Sequence, residues 1–169
     1  TMLLSFEKLN FDSILLTTSK SHKQSRMSKE IDSPLGRKNT IEEIYDLICE
    51  NIDLDEVLPK PMVIIWDGIG DLIQENEILS DKILYIMTNG PKVKVYSFII
   101  TLPMLSNSLN VVSKFIKQLK YAVVEMRLND QKIISVSNVK YSEPVLGKSV
   151  AYMVDGNHYQ TMKLLKGVE

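Results

Sequence analysis

Pro59-Lys60-Pro61 halts any regular element, and the five residues that follow, Met62-Val63-Ile64-Ile65-Trp66, are all apolar. A run of this kind, without polar alternation, predicts a strand covered on both faces, the situation of a parallel sheet flanked by helices. Two other segments share the character. Ser13-Ile14-Leu15-Leu16-Thr17-Thr18 is short, apolar and β-branched at its end, and residues 93–101 form an apolar run closed by Leu102-Pro103. Helical spacing fills the intervals. Asp32 to Asn39 reads as a loop by composition. Thr40 then caps a helix with Glu43 completing a capping box, and Ile41, Ile44, Tyr45, Ile48 and Ile52 share one face. A second helix is expected over 77–87, ending at Asn89-Gly90-Pro91, and a third over 107–119 (Leu109, Val112, Phe115, Ile116, Leu119). The polar, basic stretch 19–29 turns and enters a helix near Ser25. Buried strands alternating with helices predict an α/β fold with three layers and a mostly parallel central sheet.

The last third changes style. Two short strands are expected over 121–126 and 132–136, followed by a loop around Pro144 and Gly147. A closing hairpin pairs 150–154 with 159–165 around Asp155-Gly156-Asn157. At 169 residues, 44% of them apolar and 24% charged, the whole chain, 1–169, is expected to be one domain. Its 20 basic and 21 acidic residues argue against a surface devoted to a phosphate backbone. A lone cysteine, Cys49, excludes an intrachain disulfide and fits a reducing compartment. No apolar run approaches the ~20 residues of a membrane-spanning helix. Thr1-Met2-Leu3-Leu4-Ser5 lacks the build of a signal peptide, and an opening on Thr in mid-pattern reads as a piece excised from something longer.

Asp67, closing the strand 62–66, is the first residue with a chemical claim. An acid at the carboxyl end of a buried parallel strand stands where such folds bind ligands, and in phosphate-loop enzymes it holds the Mg²⁺ on the nucleotide phosphates. The alternative is an Asp that ends a strand and caps a turn toward Gly70. After the first strand comes Thr17-Thr18-Ser19-Lys20-Ser21-His22-Lys23-Gln24. On the pattern G-x-x-x-x-G-K-[S/T], Lys23 takes the lysine position, Thr17 and His22 the two glycine positions, and Gln24 the hydroxyl position. Thr and His fit poorly where a loop must wrap its amides around phosphate, and Gln24 cannot supply the hydroxyl ligand to Mg²⁺. Alone, the octet reads equally as a solvated basic loop. Thr101, at the tip of the third strand, has the place of a polar sensor beside the acid.

The remaining polar residues say less. His22 and His158 belong to no cluster with metal-ligand spacing, and Ser19, Ser21 and Ser25 lie outside any nucleophile motif. Arg127 reads as a solvated strand-end arginine, with a charge-stabilising finger toward a neighbouring subunit as the alternative. Met87, Met104, Met153 and Met162 read as core fillers, or as the lining of an adaptable peptide groove.

Order and spacing give these positions a context. The segment from Asn89-Gly90-Pro91 to Ile100-Thr101-Leu102-Pro103 resembles the "G-x-x-x-G-I-H-hydrophobic-T-Q-R-P" stretch of FtsK/SpoIIIE-type ATPases. Glu143-Pro144-Val145-Leu146-Gly147-Lys148 resembles their late "x-L-x-G-x-G" loop, and Val150 to Gln160 their final hairpin. Within that superfamily the chain is most similar, from about residue 10 to its end, to the last ATPase domain of the EssC/EccC coupling proteins of type VII secretion. The resemblance implies a RecA-like domain on the cytoplasmic side of a membrane-anchored chain of such modules. It implies that Lys23 would meet ATP phosphates, Asp67 would face Mg²⁺ and Thr101 would sense the site.

Three departures weaken the implied activity. Both loop glycines are missing, Gly68 stands where a second acid orients water, and Leu102 replaces the glutamine after Thr101. The stretch between Lys23 and Asp67 is also short for the family. A degenerate module is therefore expected, with ATP and Mg²⁺ bound weakly or not at all. Its implied partners are secreted proteins or their export signals, neighbouring ATPase modules of the same chain, and further copies in a homo-oligomer. A DNA-translocating motor is the alternative, and the near-neutral charge speaks against it.

Overall fold

The computed structural model describes residues 10–18, 29–75, 77–102, 110–137, 139–140, 143 and 145–164. The loop positions Ser19 to Gln24, Lys23 among them, lie outside the described residues, as do Ser25 and Met104. The chain forms two compact units, one from 10–102 with Asn110–Val112, the other from Ser113 onward.

The first unit is built on a four-stranded, wholly parallel sheet. Strands β1 (Asp12–Thr17), β2 (Lys29–Ile31), β3 (Met62–Asp67) and β4 (Val95–Ile100) lie in the order β2-β1-β3-β4. The three apolar runs are strands, as their composition predicts, and the sheet makes them neighbours. β1 and β3 are largely buried on both faces, whereas β4, last in the strand order and expected as a core strand, leaves Tyr96 42% and Ile100 44% exposed. Leu16, Ile64 and Trp66 point one way, while Leu15, Val63 and Ile65 point the other and pack with Phe11 and Phe98.

Helix α1 (Pro34–Asp53) starts six residues before the predicted cap at Thr40. Ser33 is the N-cap, its Oγ accepting from the Gly36 N–H at 3.2 Å, and Pro34 occupies the first turn. Proline lacks the N–H that a first turn would leave unpaired anyway, and its fixed φ suits that position. Thr40 is instead buried within the helix. Ile41, Ile44 and Ile48 form its inward face, as the spacing predicts.

Two short elements escape the sequence reading. One is the edge strand β2, where a basic turn and helix were expected up to Lys29. The other is α2 (Ile69–Glu75), which follows β3 directly. The helix expected over 77–87 is a 3₁₀ turn, Glu77–Leu79, running into α3 (Ser80–Asn89), which packs on α1. A second 3₁₀ turn (Gly90–Val93) and a left-handed Lys94 at φ 65° delay β4 to Val95.

The chain passes to the second unit inside α4 (Val111–Ile116), shorter than the expected 107–119, of which 107–109 lie outside the described residues. Here β5 (Tyr121–Val124), β6 (Val150–Asp155) and β7 (His158–Lys163) form an antiparallel sheet in the order β5-β6-β7. The predicted hairpin is β6–β7. Gly156, at φ +60°, takes the first central position of its two-residue turn, where a type II′ turn favours glycine.

Residues 132–136 are not a strand. The Gln131 side chain replaces the ladder: its Oε1 accepts from Ile133 N and Ile134 N, both at 2.9 Å, and its Nε2 donates to Leu128 O and Ile134 O. Ile134, Val136, Val139 and Leu146 then pack on Leu128, Tyr152 and Val154. Glu143, nearly buried, accepts from Leu128 N at 2.7 Å and Asn129 N at 3.0 Å, closing the loop onto this core. Met87 fills core space as expected, whereas Met153 is 44% exposed. Cys49 is a free thiol, and no helix among the described residues is long and apolar enough to cross a membrane.

Candidate functional site

Parallel pairing of β1 with β3 sets Thr17 beside Asp67 at the carboxyl edge of the sheet. The Thr17 hydroxyl donates to Asp67 Oδ2 at 2.8 Å. The first loop position and the candidate metal-binding acid, 50 residues apart in sequence, are therefore bonded neighbours. Thr17 is fully buried and Asp67 partly so. One residue on, Thr18 Oγ1 reaches Asp71 Oδ2 at 3.5 Å, the outer limit of a hydrogen bond.

Gly68 explains the local path. It sits at φ +73°, and a Cβ there would stand 2.5 Å from Thr18 Oγ1. Its N–H donates to Ile100 O at 3.2 Å, extending the β3–β4 ladder, while its carbonyl accepts from Asp71 N and Leu72 N to open α2. The missing second acid is thus a position where the backbone demands glycine. A carboxylate is still present close by: Asp71 Oδ2 lies 3.8 Å from where a Gly68 Cβ would be.

Thr101 follows β4, whose Ile100 pairs with Asp67. Its hydroxyl donates to the carbonyl of its own neighbour Leu102 at 3.3 Å. Of the loop octet, Thr17 meets Asp67 and Thr18 approaches Asp71, while Ser19, Lys20, Ser21, His22, Lys23 and Gln24 lie outside the described residues. His158 opens β7 in the second unit, exposed. Arg127 is tied to Asp130 by two contacts, Nε–Oδ2 at 2.8 Å and Nη2–Oδ1 at 3.1 Å, which favours a local ion pair over a finger. No group of three His, Cys, Asp or Glu among the described residues could hold a metal. A single carboxylate with neighbouring hydroxyls does suit Mg²⁺ carried on phosphates, because that ion keeps most of its water.

The residue the sequence reading missed is Arg37. It projects from the first turn of α1, is 2% exposed, and donates through Nη1 to Thr17 O at 2.8 Å and to Asp32 O. Its Nη2 pairs with Glu75 at the end of α2. Assigning 32–39 to a loop hid it. With the helix starting at Pro34, a cation in the first turn opposes the helix dipole and would have signalled a tertiary partner.

Neither a protein-family model nor a curated protein matches the sequence. Two solved structures share its fold over nearly its whole length. EssC ATPases 2 and 3 from Geobacillus thermodenitrificans align with a TM-score of 0.82 at 16% identity, over 97% of this chain and 33% of that one. The cytoplasmic domain of EssC aligns with a TM-score of 0.67 at 15% identity, over 93% of this chain and 34% of that one. The chain spans about a third of the length of the structures it matches. At these identities the likeness concerns architecture, and on that ground the chain has the α/β fold of an EssC ATPase module.

Proposed function

We propose that this chain is one ATPase-type module of a type VII secretion coupling protein, binding ATP and Mg²⁺ weakly at most and acting in substrate recognition or regulation. Its neighbours would be further modules of the same membrane-anchored chain on the cytoplasmic side, and its ligands secreted proteins or their export signals. The observation that carries the reading is Thr17. The position where a phosphate loop needs a bare backbone holds a buried, β-branched side chain whose hydroxyl is bonded to Asp67. Asp67 stands at the carboxyl edge of a parallel sheet, where such folds bind ligands, while the first residue of the loop is packed into the sheet.

Calorimetric titration with ATP and Mg²⁺ tests this. A weak or undetectable signal is expected. Tight, Mg²⁺-dependent binding that disappears in Lys23→Ala would refute it.

A further inference from the structure

Thr17 is held from two sides. Its hydroxyl is bonded to Asp67, and its carbonyl accepts from Arg37. Arg37 gathers acceptors from three places around the same edge: the end of β1 through Thr17 O, the residue after β2 through Asp32 O, and the end of α2 through Glu75. Its side chain is 3% exposed, whereas that of Glu75 is 38% exposed. Its Nε meets no acceptor among the described residues.

Stability alone is a poor reason for this arrangement. A buried guanidinium must be desolvated, and replacing a buried ion pair by packed apolar groups is often neutral or favourable. An unpaired N–H adds to the cost. What a buried cation does supply is a charge that solvent screens poorly. Asp67 and Asp71 lie at this edge and repel phosphate.

We infer that Arg37 is a positioning residue of the nucleotide edge: it holds the Thr17 carbonyl at the end of β1, and its charge favours a phosphate-bearing ligand there, with Glu75 attenuating that charge. The inference rests on the nucleotide reading above and gives the weak binding a source other than the loop amides.

The test is an anisotropy titration of the full chain with a fluorescent N-methylanthraniloyl ATP in Mg²⁺, alongside thermal melts. Glu75→Gln, at a half-exposed position, leaves the guanidinium without its counter-charge. Its Kd should fall about five-fold, the effect of removing one partly screened unit charge from the vicinity of an anion. Arg37→Met should raise Kd by a similar factor, and Arg37→Lys, which keeps the charge but not the fork, should fall between Arg37→Met and the unaltered chain. A purely structural pair would lower the melting temperature in both Glu75→Gln and Arg37→Met and move both affinities the same way or not at all. That outcome overturns the inference and leaves the nucleotide reading intact. Should Arg37→Met fail to fold, an unchanged or weaker Kd in Glu75→Gln overturns it equally. Absence of signal from both the unaltered chain and Glu75→Gln at millimolar nucleotide removes nucleotide binding and the inference together.

Discussion

Gly68→Ala tests the geometry on which the site rests. At φ +73° an alanine is in the left-handed region, which costs roughly 1–2 kcal/mol for a residue with a Cβ. The new Cβ would also stand 2.5 Å from Thr18 Oγ1, roughly 1 Å inside a normal non-bonded contact. Thr18 is β-branched and stiff at χ1, so relief means giving up its approach to Asp71 or displacing the strand end. That adds about 1 kcal/mol, and the total loss should be about 2–3 kcal/mol.

A double-mutant cycle separates the two contributions. Thr18→Ala alone removes one long, exposed hydrogen bond and should cost about 0.5 kcal/mol or less. In Thr18→Ala/Gly68→Ala the clash is gone and the backbone penalty remains, so the pair should be about 1 kcal/mol more stable than the sum of the single changes. Trp66 is the sole tryptophan, is fully buried and lies two residues from Gly68, so its fluorescence in urea reports on this unit directly. Gly68→Ala within about 0.5 kcal/mol of the parent, or a cycle without coupling, would refute the argument. By the same reasoning Gly68→Glu, made to restore a second acid, should unfold the edge rather than create an ATPase.

The second unit offers two further tests. Glu143→Ala strips the acceptor from the Leu128 and Asn129 N–H groups and should cost about 2–4 kcal/mol, read as a loss of thermal stability and faster amide exchange at those residues; a change below about 1 kcal/mol counts against it. Burial, and then the Glu143 carboxylate, raise the Tyr152 phenol above its ordinary value of 10.0. The neutral form is therefore favoured in the fold. Its stabilisation is fully present below pH 10 and is lost as pH rises through the folded value, and Tyr152→Phe should flatten that alkaline decline in urea melts.

Much of the architecture could be read from local chemistry. The run Met62 to Trp66 announces a two-faced strand, and it is one, between β1 and β4. The closing hairpin was legible because Gly156 and its two-residue turn are a local signal. What failed had causes of two kinds, local signals misread and partners distant in sequence. The start of α1 was hidden because Pro34 and Gly36 look like a loop until Ser33 is recognised as a cap. β2 is three residues long and owes its existence to pairing with Ile14, Leu15 and Leu16. Residues 132–136 carry strand-like composition, but one glutamine side chain satisfies the amides a ladder would have used. In the site, Asp67 and Thr17 were nameable, but Arg37 was not, because its partners come from three segments.

The two departures at the site differ in kind, and they are linked. Thr17 and Asp67 share a hydrogen bond, and Thr18 fills the space a side chain at 68 would need. The ends of β1 and β3 therefore fit each other as two matched pairs. Replacing Thr17 by glycine alone would release Asp67 but leave position 68 closed by Thr18. Adding an acid at 68 alone would meet Thr18 and the left-handed backbone. Neither change by itself recreates the arrangement in which an acid orients water beside a glycine-lined loop. A route to turnover at this edge has to alter both strand ends together, or use Asp71, whose carboxylate already lies near the vacant direction.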